Sequence, residues 1–198
     1  MIPIPSLSNP VRTLEVQRAE FSRRRFLAMP LAGTIAWAVI GMASLVLKPW
    51  PLAITLFAAT GSIAYLGMAI SRLTGENFLD KSRPKNAFDA LFMMTVGMSV
   101  LVYAIAIPFF RIEPSSLPLS VGILTGLMWL PLSWVIQHWI GIFHAVVRTG
   151  LLVAVWYGFP QHRYLAVSVV IVAIYGITMV VLERRWRAVR LPTSDPAG

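Results

Sequence analysis

The stretch that decides the fold is GIFHAVVRTGLLVAVWYG, residues 141–158, an apolar run interrupted by one permanent charge. It is long enough to cross a bilayer, because a helix needs about 20 residues to span the hydrocarbon layer. A guanidinium stays charged there, and burying one at mid-membrane costs roughly 2.5 to 3.5 kcal/mol on insertion scales. Arg148 therefore requires a physical account of its own.

Working outward, the rest of the chain has the same character. Of its 198 residues, 57% are hydrophobic and 13% charged, too few charges to clothe a water-soluble domain of this size. Six apolar blocks are read, about Met29 to Leu47, Pro51 to Ser71, Ala87 to Phe110, Pro118 to Ile136, Gly141 to Phe159 and Tyr164 to Leu182. A single helix from Pro118 to Phe159 would be roughly 60 Å long, so the chain turns around Gln137, His138 and Gly141. The expected fold is all-α, a polytopic membrane helix bundle of about six spans. One domain is expected: a basic amino-terminal arm over residues 1–28, a six-span domain over 29–183 and a basic tail over 184–198.

Basic residues set the orientation, since arginine and lysine near helix ends stay on the cytoplasmic side. They gather at Arg12, Arg18 and Arg23 to Arg25, at Arg72, Lys81, Arg83 and Lys85, and at Arg184, Arg185, Arg187 and Arg190. The alternate gaps hold only Lys48, Arg111 and Arg163. Both termini are thus expected in the cytoplasm. Trp50, Phe109, Phe110, Trp156, Tyr157, Phe159 and Tyr164 mark the outer interface, and Trp139 and Trp186 the inner one. The net charge of +9 matches anionic lipid headgroups better than nucleic acid, for which there is no polar domain to carry a groove.

The run Ser22-Arg23-Arg24-Arg25-Phe26-Leu27 resembles a twin-arginine export signal, but no cleavage pattern precedes Lys48 and five spans follow. An anchor is the better reading, with Val11 to Leu27 lying as a helix along the surface and the first dozen residues and the segment after Leu191 disordered. Cysteine is absent, so disulfides and thiolate metal sites are excluded. No phosphate loop, HExxH, GxSxG or paired intramembrane aspartates are present, which leans against an enzyme, and no cofactor is implied.

Candidate site residues gather where the fourth and fifth spans meet. His144 and Arg148 are four apart on one helix face. Gln137 and His138 precede them in the turn, and Asp89 falls at the same depth in the first turn of the third span. Together they could receive a small anion or lipid headgroup, with Arg148 as clamp and His144 as proton-linked donor. The competing reading is structural: Arg148 snorkels to the headgroups or pairs with Asp89, and His144 bonds a backbone carbonyl. Two histidines with Asp89 do not select a metal by their spacing. Gly122 and Gly126 form a GxxxG pair for helix packing, or alternatively a homo-oligomer seam. Pro131 should bend its span and is the candidate hinge. Ser168, Thr178 and similar hydroxyls are read as packing groups, and Glu183 as part of a charge network with Arg184 and Arg185.

The run from His144 to Thr149, with Pro160, Arg163 and Tyr175, resembles an uncharacterised family of small bacterial multi-span membrane proteins over the last third of the chain. The resemblance implies the bacterial inner membrane and no activity. Two functions stay open: a small transporter or channel-like protein with a cytoplasm-side anion pocket, and a non-transporting scaffold or partner subunit.

Overall fold

A computed structural model describes residues 12–78, 80 and 84–190, so Lys81, Arg83, the start of the arm and everything from Leu191 lie outside the described residues. Among these residues the regular elements are helices, with no strand. A short helix α1 (Leu14–Ser22) precedes α2 (Ala28–Ala43) and α3 (Pro49–Leu73). Next come α4 (Ala87–Leu101) and α5 (Tyr103–Ile112), a 3-10 turn (Pro114–Ser116), α6 (Leu117–Gly126) and α7 (Trp129–Ile136), then α8 (Ile140–Gly158) and α9 (Arg163–Arg190). Five stretches are long and apolar enough to cross a membrane: Pro49–Leu73, Ala87–Ile112, Pro114–Ile136, Ile140–Gly158 and Arg163–Arg190. The chain is an integral membrane protein of helical, multi-pass character.

Each expected block has its helix, with two changes at the ends. The first, α2, is only 16 residues long and stops at Ala43, where a turn begins instead of the block running on to Leu47. The last continues to Arg190, so the basic tail starts inside a helix that carries Arg187 and Arg190 in its final turn, where cations oppose the negative end of the dipole.

Helix α2 packs mainly on α3 and α9, and α8 lies among α6, α7 and α9. The buried core is built there, with Trp37, Ile40, Leu56, Val121, Leu152, Val167 and Ile171 all nearly or fully enclosed. By contrast α4 and α5 present Met93, Met94, Met98, Val100, Leu101 and Ile105 outward, as a lipid-facing helix does.

Long-range polar contacts draw the described parts of the basic segments to one end of the bundle. Arg24 pairs with Asp89 at the start of α4, Arg25 Nε donates to Glu183 near the end of α9 at 2.7 Å, and Ser22 Oγ donates to the Val135 carbonyl at 3.2 Å. The start of α2 has no capping side chain of its own. Glu76, 4% exposed in the loop after α3, supplies it instead: Oε1 accepts from the backbone N–H groups of Leu27 and Ala28 at 2.8 Å each. An anionic acceptor at these N–H groups also matches the positive helix end. The opposite end is tied by Arg163, whose Nε donates to the Trp156 carbonyl at 3.1 Å and whose guanidinium lies 3.8 Å over the Trp156 ring.

The arm differs from expectation. Its helix is shorter than Val11 to Leu27, and it docks on the bundle: Phe21 is 2% exposed, with ring centroids 5.2 Å from Phe26 and 6.1 Å from Phe88. One aromatic residue at its end gains more by burial between α4 and α7 than by lying at an interface.

Candidate functional site

The turn that sets α8 in place is where the sequence puts it. Gln137 adopts a left-handed conformation (φ 50°, ψ 48°) and ends α7, with the His138 N–H donating back to the Ser133 carbonyl at 3.1 Å. Ser133 then stitches both sides, bonding the His138 carbonyl and accepting from the Ile142 N–H at 3.3 Å. Gly141 is required by contact: a Cβ there would run into the Trp129 carbonyl oxygen and lie 2.7 Å from Ser133 Cβ. The chain therefore re-enters the bundle pressed against α7.

That close crossing points His144 and Arg148 into the interior, and both are 0% exposed. Arg148 Nη1 bonds His144 Nε2 at 3.1 Å, and Nη2 donates to Thr125 Oγ1 at 3.2 Å. His144 Nδ1 meets Thr178 Oγ1 at 2.9 Å. The direction of each bond follows by elimination. Thr178 donates its only hydroxyl proton to the Ile174 carbonyl at 2.7 Å, so it must accept from His144 Nδ1–H. His144 then offers a lone pair at Nε2, which accepts from Arg148. Thr125 likewise donates to the Val121 carbonyl at 2.6 Å and must accept from Arg148. The network is consistent with one neutral histidine tautomer and one cation.

Aromatic faces complete the enclosure. Trp129 stacks on His144 with centroids 4.3 Å apart, and the Arg148 guanidinium carbon lies 5.4 Å from the Tyr175 ring centroid. Tyr175 has its own clearance: a Cβ at Gly33 of α2 would fall 2.5 to 2.7 Å from its ring atoms. Gly126 lies directly against the arginine, since a Cβ there would stand 3.2 Å from Arg148 Cδ and 3.3 Å from Nε. Arg148 Nε is buried without a hydrogen-bond partner. None of the ion pairs among the described residues involves Arg148.

The expected cluster is thus divided. His144 and Arg148 come together as their spacing implies, but Asp89 does not join them. It is held at the rim by Arg24, with Nη2 to Oδ2 at 3.0 Å, because α4 packs on α1, α5 and α7 rather than α8. His138 also stays in the turn, where Nδ1 accepts from the Ile140 N–H at 3.3 Å and its ring stacks on Trp139. Gln137, with its amide oxygen turned to accept, reaches Arg18 at 3.2 and 3.3 Å. Arg148 does not snorkel: it sits near the middle of α8 and its head is enclosed by protein. His144 bonds two side chains and no backbone carbonyl. Glu183 is shared between Arg25 and Arg187 rather than Arg184 and Arg185.

Gly122 and Gly126 both face inward, the former toward Leu152 and Ile171, so the GxxxG pair seats α6 on α8 and α9 of the same chain. Pro131 acts four residues upstream of itself. Lacking an N–H, it cannot donate to the Leu127 carbonyl, which accepts from the Leu130 N–H at 3.1 Å instead, and the α-helix is interrupted at Leu127 and Met128. Gly126 and Trp129, the residues on either side of the break, lie against Arg148 and His144 respectively.

Thr125, Trp129, Tyr175 and Thr178 complete the site and were not legible as its members. By sequence Thr178 is an ordinary packing hydroxyl, and nothing in the spacing of four positions on three helices signals convergence. Among the described residues no three His, Asp or Glu gather as metal ligands.

The model of a family of unknown function (DUF7010) matches residues 14–185, and the chain belongs to that family. No curated protein and no solved structure matches it.

Proposed function

We propose that this member of a family of unknown function is a small six-span transporter of the bacterial inner membrane, with both ends in the cytoplasm, and that Arg148 receives a small anion during its cycle. The observation that carries the reading is the enclosed guanidinium itself: a permanent cation with no carboxylate partner and one N–H unsatisfied among the described residues, beside a helix break. An uncompensated buried charge is costly, and a protein that keeps one has a use for the charge. The arrangement corresponds to an occluded state. Swinging α7 about Leu127 and Met128 would lift Trp129 away from the pair and open it to solute. An arriving anion takes the guanidinium edge, which releases His144 Nε2 to accept a proton, so anion and proton would travel together.

The test is thermal stability of the purified protein against chloride, nitrate, acetate and phosphate, followed by flux in proteoliposomes. Expected is stabilisation by at least one anion and uptake that acid accelerates, both lost in Arg148→Met while the variant still inserts. An anion response equal in wild type and Arg148→Met would refute the reading. The second reading, a non-transporting scaffold, draws on the completeness of the enclosure. It expects no anion response in either protein and a stability of Arg148→Met equal to or above wild type, since an apolar side chain can replace a buried charge without loss.

A further inference from the structure

An open groove of about 400 Å³ lies between the start of α2 and the end of α9, at the basic end of the bundle and well apart from Arg148. Its lining is graded along one face of α9. Met179 and Val180 come first, with Leu27 opposite, and one turn later come Glu183 and Arg184, then Arg187 and, across the groove, Arg25. From Met179 to Arg187 the helix rises roughly 12 Å, enough to reach from the outer part of the hydrocarbon layer into the headgroup region.

The single carboxylate in this groove is already engaged. Glu183 Oε2 accepts from Arg25 Nε at 2.7 Å, and Oε1 accepts from Arg187 Nε at 2.9 Å. It therefore fixes two guanidinium groups by their inner nitrogens; Arg25 Nη1 donates to the Thr74 carbonyl at 3.5 Å, which leaves Arg25 Nη2 and both terminal nitrogens of Arg187 for a ligand. The bond to Glu183 is also the main cause that raises the Arg25 pKa above its ordinary value, so that charge is permanent. Arg25 is further braced, with its guanidinium carbon 4.8 Å from the Trp186 ring centroid. Arg187 Nη1 and Nη2 and the whole Arg184 head have no hydrogen-bond partner among the described residues. Three arginines against one glutamate leave a net positive groove with an apolar floor.

We infer that this groove is a binding site for one anionic glycerophospholipid, its phosphodiester held by Arg25, Arg184 and Arg187 and its upper acyl chain lying on Leu27, Met179 and Val180. A basic recess at a helix rim suits such a headgroup, and a soluble anion would make no use of the apolar floor. By joining α9 to the loop that leads into α2, the lipid would brace the two helices that seat Tyr175 and Gly33.

The test is native mass spectrometry of the full chain released from nanodiscs of phosphatidylethanolamine with phosphatidylglycerol. Arg184→Gln is the main variant because Arg184 is exposed and makes no hydrogen bond or ion pair among the described residues, so its replacement leaves the described contacts of the bundle intact. Lys48→Gln at the opposite end serves as control. Expected is one retained phosphatidylglycerol per chain, weakened roughly 5-fold in Arg184→Gln and roughly 30-fold in Arg184→Gln with Arg187→Gln, at about 1 kcal/mol per arginine. The control should match wild type. Equal retention in all variants, or equal loss in the control, overturns the site. So does stabilisation of lipid-free protein by inorganic phosphate with the same arginine dependence, which would make the ligand a free phosphate.

Discussion

Arginine occupies two kinds of place in this molecule, and they follow opposite rules. At the basic rim Arg24 faces Asp89 and Arg25 faces Glu183, partly exposed pairs in which each charge has an opposite neighbour and water close by. In the core Arg148 has a threonine, a neutral histidine and an aromatic face, and no carboxylate among the described residues. Rim pairs are replaceable fasteners. The core group is a guanidinium held by side-chain dipoles and an aromatic face instead of an opposite charge.

Three substitutions and a titration probe this contrast. The largest effect is expected at Gly126→Leu, which pushes a branched side chain into the Arg148 head and should cost about 3 kcal/mol, read as a lower melting temperature and dispersity in detergent. If that variant were as stable as wild type, the core would be looser than its contacts imply. Thr178→Val comes next. It keeps the shape but strips His144 Nδ1–H of its acceptor, so about 2 kcal/mol should be lost; a neutral result would mean that the His144–Thr178 bond contributes nothing to the core. At the rim, Asp89→Asn should change stability by less than about 1 kcal/mol, because the pair is half in water; a loss as large as that of Thr178→Val would erase the distinction between the two places.

Acid gives the smallest effect. His138 in the turn has its pKa lowered, chiefly by burial and then by the charge of Arg185, and its Nδ1 accepts the Ile140 N–H. A histidine lowered on folding contributes stability above its unfolded value of about 6.5 and loses it as pH falls through that value toward the folded one. A modest drop in melting temperature is expected between about pH 7 and 5.5, flattened in His138→Asn. Glu113, whose carboxyl is held low by Ser115, behaves the same way below the carboxylate range, so its loss falls at lower pH and can be told apart. A pH slope in that window unchanged by His138→Asn would assign it elsewhere.

Much of the fold was legible because the signals are local. The length of each apolar block, the turn at Gln137 and Gly141, and the placement of arginines at alternate gaps are properties of consecutive residues. The pairing of His144 with Arg148 was legible for the same reason, four residues being one helical turn. The proline effect was also within reach, although the break belongs to Leu127 and Met128, where the missing N–H acts, rather than to Pro131. The place of Asp89 is not legible, because depth in a membrane is one coordinate and a contact needs three: it lies in a helix that touches α1 and α7, and it pairs with Arg24. Glu76 gave no sign at all, since a cap supplied across 49 positions of chain has no spacing rule.

The sequence by itself determined that the chain crosses lipid as several helices, where they turn, and that one of them carries a fixed charge inward, because hydrophobic length and helical period are written residue by residue. Only the tertiary structure decided what meets that charge. Thr125, Trp129, Tyr175 and Thr178 reach it from three helices whose mutual rotation depends on where glycines allow backbones to touch, and that is a property of the packed bundle as a whole.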